Sequence, residues 1–156
     1  MNILGAIVAG VVATIVMTMV MMIAPQMGMP KMDIVGMLGS MFSPDSNRPL
    51  GMALHLMMGI VFAIIYALLW NAGIGAVTLL WGVIFGVVHW LIAGAMMGGV
   101  PMMHVGVKAG AVEAPGIYMT NNGGMMAFVA ASLGTWFLAW SWPWSMGFLC
   151  KEIIYD

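Results

Sequence analysis

Long apolar segments without a charged side chain are the feature that most restricts the fold of this chain. Four of them occur, at about residues 3–24, 50–70, 76–97 and 124–142. Each is close to the ~20 residues that an α-helix needs to cross the hydrocarbon core of a bilayer. Helices pair all their backbone groups internally, as lipid requires. The sequence therefore predicts four transmembrane helices.

The composition supports the same class of protein. Of 156 residues, 63% are hydrophobic and 6% are charged, which is too little charge to cover a soluble globule. We expect a single all-α transmembrane domain over residues 1–156, with two longer connections on one side of the membrane. A net charge of −1 gives no basic surface for nucleic acid. The single cysteine, Cys150, excludes an intramolecular disulfide and a multi-cysteine metal site.

Small residues recur at helical spacing within the predicted spans. They are Gly10, Thr14 and Thr18 in the first span, Gly51, Gly59 and Ala63 in the second, and Gly82 and Gly86 in the third. Such stripes allow neighbouring helix backbones to approach closely in a membrane. We expect these faces to form helix–helix contacts, within one chain or between copies of it.

Two histidines, His55 and His89, lie within the predicted second and third spans. The turn between these spans is centred near Gly73, 18 residues after His55 and 16 before His89. With 1.5 Å of rise per residue, antiparallel helices place the two imidazoles at nearly the same depth. Both histidines continue a small-residue stripe, so both are predicted to face other helices and to be candidate cofactor-binding residues.

Methionine is concentrated at one end of the predicted bundle. Nineteen of the 21 methionines fall within residues 17–58 and 96–126, the half that receives the two longer connections. Methionine fills irregular gaps in hydrophobic cores. Gap filling alone gives no reason for methionine to be concentrated on one side of the membrane. The asymmetry therefore leaves soft packing and a specific role for this end as competing interpretations.

Copper is the metal that this end best suits. Thioether sulfur and imidazole are ligands for the soft ion Cu(I). The densest local cluster is Met102, Met103 and His104, with Met96 and Met97 a few residues earlier. These five residues are the predicted metal ligands. The function that follows is non-enzymatic: an accessory or metal-handling membrane protein.

Three alternatives remain open from the sequence. His55 and His89 on facing helices are also a pattern for the axial ligands of a b-type haem. Intramembrane histidines that line a pore are typical of a small channel or transporter for protons or a small solute. A purely structural partner of a membrane enzyme needs neither. Catalysis is not expected, because the predicted spans contain no carboxylate and the chain has no Gly-x-Ser-x-Gly sequence.

Several stretches resemble a family of small bacterial four-helix membrane proteins. They are Ala9-Gly-Val-Val-Ala-Thr-Ile-Val-Met-Thr18, Pro30-Lys-Met-Asp-Ile-Val-Gly-Met-Leu-Gly39, and the histidines early in the second span and late in the third. More narrowly, the methionine content is similar to that of the homotrimers that accompany copper-dependent monooxygenases in ammonia- and methane-oxidising bacteria. The resemblance implies a homotrimer in an inner or intracytoplasmic membrane, beside a copper enzyme. It implies no activity and no functional residues.

Overall fold

The computed structural model describes residues 2–76, 78–122 and 124, and within these residues all regular secondary structure is helical. The α-helices are α1 (Ile3–Ile23), α2 (Ile34–Gly39), α3 (Arg48–Asn71), α4 (Leu79–Met96), α5 (Val100–Met103) and α6 (Val105–Lys108). Short 3₁₀ helices cover Ala24–Met27, Met97–Gly99 and Ile117–Asn122. The all-α prediction is confirmed for this part of the chain.

Three helical segments are long and apolar enough to cross a membrane: Ile3–Met27, Arg48–Asn71 and Leu80–Met103. They match the predicted spans 3–24, 50–70 and 76–97 to within a few residues, except that the third continues beyond its predicted end. The predicted span 124–142 lies outside the described residues apart from Gly124. The fourth helix therefore stays a prediction.

Polar side chains start the three long helices. Asn2 accepts a hydrogen bond from the Gly5 amide (3.2 Å), and Asn47 accepts one from the Leu50 amide (3.1 Å). Thr78 lies at the corresponding position before α4. These oxygens satisfy amide groups that have no partner within the helix, which explains why the helices begin at these residues.

Close packing of small residues joins α1 to α3. A Cβ atom on Gly10 would lie 2.8 Å from the carbonyl oxygen of Gly59 and 3.0 Å from the Cβ of Ala63. Ala6 and Ala9 are buried against the same face of α3. The predicted small-residue contact is therefore confirmed for these two helices. The small side chains let the two backbones approach closely, which strengthens the van der Waals contact between the helices.

The first connection packs onto α3. Gly51 has no room for a Cβ atom, because Val35 and Gly39 of α2 lie against it. The sequence favours a helix over 31–42 lying at the membrane interface with Met32, Val35, Leu38 and Phe42 on one side. The helix is shorter, Ile34–Gly39, and it buries Met37 and Leu38 while Phe42 is exposed. Gly51 allows this helix to pack closely on α3, and the position at the membrane interface stays a prediction.

An ion pair ties the start of α2 to the start of α3. The carboxylate of Asp33 accepts hydrogen bonds from the Gly36 amide (2.9 Å) and from the Arg48 guanidinium (2.7 Å). Partial burial acts to raise the pKa of Asp33, but these hydrogen bonds and the charges of Arg48 and Lys31 outweigh it and lower that pKa below 3.8. The pair holds the first connection in place on the outside of the bundle.

The second connection lies against the first. The Gly106 amide donates to the carbonyl oxygen of Ser40 (2.9 Å), and the Val105 amide donates to that of Met41 (3.2 Å). Gly106 is also in contact with the side chain of Ser40. The apolar composition of this connection favours a segment that is partly re-entrant or pressed onto the bundle, and these contacts place Val105 and Gly106 on the first connection.

Aromatic side chains, rather than small residues, join α4 to α3. Tyr66 stacks on Phe85 with ring centroids 5.4 Å apart, and Phe62 meets His89 edge to face at 4.4 Å. The predicted close-packing pair of α4, Gly82 and Gly86, borders an internal cavity. Large rings between the two helices hold α4 away from α3 and leave this space open.

Candidate functional site

A cavity of about 230 Å³ lies between α1, α3 and α4. Both intramembrane histidines, His55 and His89, line it. So do six methionines, which are Met17, Met21, Met32, Met58, Met97 and Met119. We call this space the methionine cavity. It brings together thioethers from α1, α3, the end of the third apolar segment and both connections, which are far apart in the sequence.

His55, which lines this cavity, has one nitrogen atom without a hydrogen-bond partner. The side chain is only 7% exposed, and its Nε2 atom has no hydrogen-bond partner among the described residues. A buried polar atom left without a partner costs about 1–3 kcal/mol. The small-residue face of α3 explains the position, because Gly51 and Gly59 flank His55 at four-residue spacing and the helix turns that face inward. In the neutral tautomer protonated at Nδ1, the lone pair of this Nε2 atom is available to a metal ion.

The contacts of α1 and α3 define how these helices are aligned. Gly59 lies opposite Thr14, because a Cβ atom on Gly59 would overlap the threonine hydroxyl. Gly10, one turn earlier on α1, lies against Ala63, one turn later on α3. The helices are therefore antiparallel. A residue one turn closer to the C-terminal end of α1 lies opposite a residue one turn closer to the N-terminal end of α3.

This alignment places methionines beside His55. One turn beyond the Thr14 level, His55 lies opposite Thr18. Met17 and Met21 of α1 line the methionine cavity at this level, and Met58 of α3 lines it one turn from His55. Met17, Met21, Met58 and His55 therefore line the cavity within about two helical turns of one another, and Met58 is 40% exposed.

His89 lies deeper along α3 than the sequence predicts. Its Nδ1 atom is 2.7 Å from the hydroxyl of Tyr66 and its ring contacts Phe62, two to three turns along α3 from His55. The equal-depth prediction is wrong because the connection around Gly73 is not helical. His55 lies 16 residues before the end of α3 and His89 only 10 after the start of α4, a difference of about 9 Å in rise.

This offset bears on the haem alternative. Metal–imidazole bonds are about 2 Å long, so one metal atom bound by two imidazoles requires nitrogens only a few ångströms apart. His55 and His89 are offset along the bundle by much more than this. The geometry therefore favours a site built around His55 alone over a site shared by both histidines.

Met97 lies at the His55 end of the methionine cavity. It follows His89 by eight residues, which along the end of α4 is about 12 Å towards the level of His55. Its side chain lines the cavity. Of the five predicted metal ligands, Met97 is the one that the structure brings to the same cavity as His55.

The other four predicted ligands do not converge. Met102 and Met103 are 78% and 67% exposed, whereas the next residue, His104, is only 4% exposed. The Nδ1 atom of His104 donates to the carbonyl oxygen of Val100 (3.3 Å). Met96 is also exposed. Three consecutive residues in the chain point in different directions because the backbone becomes extended at His104, between α5 and α6.

Soft ligands dominate the chemistry of this site. Among residues 2–76, 78–122 and 124, no group of three or more His, Cys, Asp or Glu side chains is arranged to hold a metal ion. Any metal site at the methionine cavity therefore depends on thioether sulfur. The i, i+4 spacing of Met17 and Met21, and the i, i+3 spacing of His55 and Met58, are the sequence patterns that place them on one face.

Comparison of the chain with protein-family models, with curated proteins and with solved structures finds no match.

Proposed function

We propose that this chain is a non-enzymatic membrane protein that binds Cu(I) in the methionine cavity. The observation that supports this most is that His55, whose buried Nε2 atom has no hydrogen-bond partner, lines the same cavity as the thioethers of Met17, Met21 and Met58. One imidazole and several thioethers form a neutral ligand set of the kind that selects Cu(I) over harder ions.

The charge of the ion fits the surroundings. The cavity is lined almost wholly by apolar side chains and no carboxylate lines it among the described residues. Removing an ion from water into such a place is costly, and the cost rises with the square of the charge. A monovalent soft ion is therefore favoured over Zn²⁺ or Mg²⁺, for which the described part of the cavity supplies no compensating negative charge.

Simple packing is the competing interpretation of the methionines. Methionine used as filler adapts its flexible side chain to close gaps. Here six methionines line a cavity that they do not fill. His55 lines the same cavity and has a nitrogen atom without a hydrogen-bond partner. This combination favours a ligand over filler.

The test uses two matched sets of substitutions on the same helices. Met17→Leu, Met21→Leu and Met58→Leu together remove the thioethers of the cavity at nearly constant volume. Met19→Leu, Met22→Leu and Met57→Leu change three exposed methionines of α1 and α3 that do not line the cavity, whereas Met58, which is 40% exposed, does line it. Leucine for methionine usually costs less than about 1.5 kcal/mol of stability, so both variants are expected to fold.

Cu(I) affinity is measured in detergent, without oxygen, by competition with a Cu(I) chelator. We expect the cavity variant to lose most of its affinity and the exposed variant to keep it. Equal affinity in the two variants, or no binding by the unmodified protein, contradicts the proposal. His55→Leu is a further arm and is expected to weaken binding like the cavity variant.

A pathway for protons or a small solute is the second candidate. It is favoured by one observation, that the methionine cavity extends from His55 to the hydrogen-bonded pair of Tyr66 and His89. Protein in liposomes then shows flux that His55→Leu or His89→Leu abolishes while the methionine substitutions leave it unchanged. Flux without Cu(I) binding would replace the first proposal with this one. A protein that neither binds nor conducts is a structural partner.

We further propose a homotrimer in a bacterial inner or intracytoplasmic membrane, beside a membrane copper enzyme. The resemblance described above supports this assembly. The thioethers of Met96, Met102 and Met103 are exposed, which suits transfer of Cu(I) to such a partner. Native mass spectrometry tests the trimer, and a monomer contradicts it. Cross-linking from position 102 in the native membrane tests the copper enzyme as neighbour.

A further inference from the structure

Two consecutive residues of the second connection have an unusual backbone conformation. Tyr118 and Met119 have φ angles of +54° and +58°, in the left-handed region that non-glycine residues rarely adopt. Such conformations persist only where surrounding contacts determine them, and they cluster at ligand sites and switches. The contacts that hold this turn, and what it presents, are therefore informative.

Contacts with the end of α4 hold the turn. The ring of Tyr118 lies directly on Gly94, where any side chain would overlap it, and its centroid is 4.8 Å from that of Trp90. The Tyr118 hydroxyl donates to the carbonyl oxygen of Leu91 (3.2 Å). Ile117 lies against Gly98 in the same way. The turn therefore packs on the end of α4 and on the residues that follow it, where Gly94 and Gly98 leave room for its side chains.

The result of this arrangement is a buried thioether. Met119 is 4% exposed and lines the methionine cavity. Its neighbours in the chain contact residues 94 and 98 of the α4 region, close to Met97 and hence at the His55 end of the cavity. A turn that served only packing would not require a sulfur atom at this position. This turn places the thioether side chain of Met119 among those that line the cavity.

We infer that Met119 is a thioether ligand of the ion bound at His55, and that the Tyr118–Met119 turn closes the methionine cavity over that ion. This assignment rests on the proposed Cu(I) function. The sulfur donates a lone pair to the ion, and no covalent bond of the chain is made or broken. Release of the ion requires the turn to leave α4, which breaks the hydrogen bond from Tyr118 to Leu91.

The test is Met119→Leu against Met103→Leu, a methionine of the same connection that is 67% exposed. Ag(I), a soft monovalent ion that does not change its oxidation state here, is the probe with the full chain in detergent. We expect Met119→Leu to weaken Ag(I) binding by on the order of tenfold to a hundredfold, the range found even for residues behind metal ligands. X-ray absorption is expected to show one sulfur fewer around the ion.

A second variant, Tyr118→Phe, keeps the thioether and removes the hydroxyl that donates to Leu91. We expect it to release Ag(I) several times faster while the number of sulfur ligands stays the same. Thermal unfolding without the ion establishes that each variant is folded. Tight Ag(I) binding by Met119→Leu with an unchanged sulfur count overturns the ligand assignment and leaves the proposed function standing. No Ag(I) binding by the unmodified protein overturns both.

Discussion

The hydroxyl of Tyr66 lies 2.7 Å from the Nδ1 atom of His89, and this hydrogen bond joins α3 to α4 within their membrane-spanning parts. It explains why an intramembrane histidine is tolerated at this position, since polar groups in lipid need partners. It also places His89 among aromatic rings and not beside His55. The two histidines therefore have different surroundings, one paired and one with a free nitrogen.

Removal of the Tyr66 hydroxyl is expected to destabilise the fold modestly. Hydrogen bonds between transmembrane helices contribute about 0.6 kcal/mol on average and up to about 1.7 kcal/mol. We expect Tyr66→Phe to lower the free energy of unfolding by an amount in this range, measured by unfolding in mixed detergent micelles. A double-mutant cycle with His89→Leu isolates the pair, and a coupling energy of zero would show that the hydrogen bond contributes nothing.

The contact between Gly10 and Gly59 is expected to tolerate no methyl group. A Cβ atom on Gly10 would lie 2.8 Å from the Gly59 carbonyl oxygen, which is backbone and cannot turn aside. We expect Gly10→Ala to destabilise the protein by about 1–3 kcal/mol. Gly99→Ala is the control, because nothing lies within 4 Å of the added atom. Equal melting temperatures for the two variants would argue against the described packing of α1 on α3.

The ion pair of Asp33 and Arg48 predicts a pH dependence of stability. Because the pKa of Asp33 is lower in the folded protein than its ordinary value of 3.8, the ionised carboxylate stabilises the fold above that value. This contribution is lost as the pH falls through the folded pKa. The pair is largely exposed, so we expect less than about 1 kcal/mol.

Asp33→Asn is the variant for this measurement, since asparagine still caps α2 but carries no charge. Melting temperatures of the two proteins are compared from neutral pH to about pH 2. We expect the unmodified protein to be the more stable at neutral pH and the difference to vanish at the acid end. A difference that is constant over this range would assign it to something other than the carboxylate charge.

Bound metal is expected to protect particular methionines from oxidation. A thioether that donates its lone pair to Ag(I) is less available to peroxide. Mass spectrometry after brief peroxide treatment should show less sulfoxide at Met17, Met21 and Met58 when Ag(I) is present. Met19 and Met22, which are exposed on the same helix, should be oxidised equally with and without the ion. Uniform protection of all five would point to a general change in accessibility.

The sequence predicted the helices well because their signals are local. Apolar length alone placed α1, α3 and α4, and four-residue spacing identified the face on which Gly10 and Gly59 meet. These features depend on residues within one helix or on matching faces of two helices. They are readable without knowing how the connections run.

The site was less predictable because it depends on connections. The non-helical turn around Gly73 shifts His89 relative to His55, and the extended backbone at His104 separates that side chain from Met102. Met119 follows no periodic pattern, and its position results from the contact of its neighbour Tyr118 with Gly94, which only the folded chain reveals. Adjacency in sequence was a poor guide to which side chains line the same cavity, while helical spacing was a better one.

X-ray absorption at the copper edge is the decisive measurement for a Cu(I) site of thioethers and one imidazole. The protein is loaded with one equivalent of Cu(I) without oxygen and compared with His55→Leu. We expect a copper ion with several sulfur ligands and one nitrogen ligand, and loss of the nitrogen in the variant. Copper bound by nitrogen and oxygen alone, or an unchanged spectrum in His55→Leu, would contradict it.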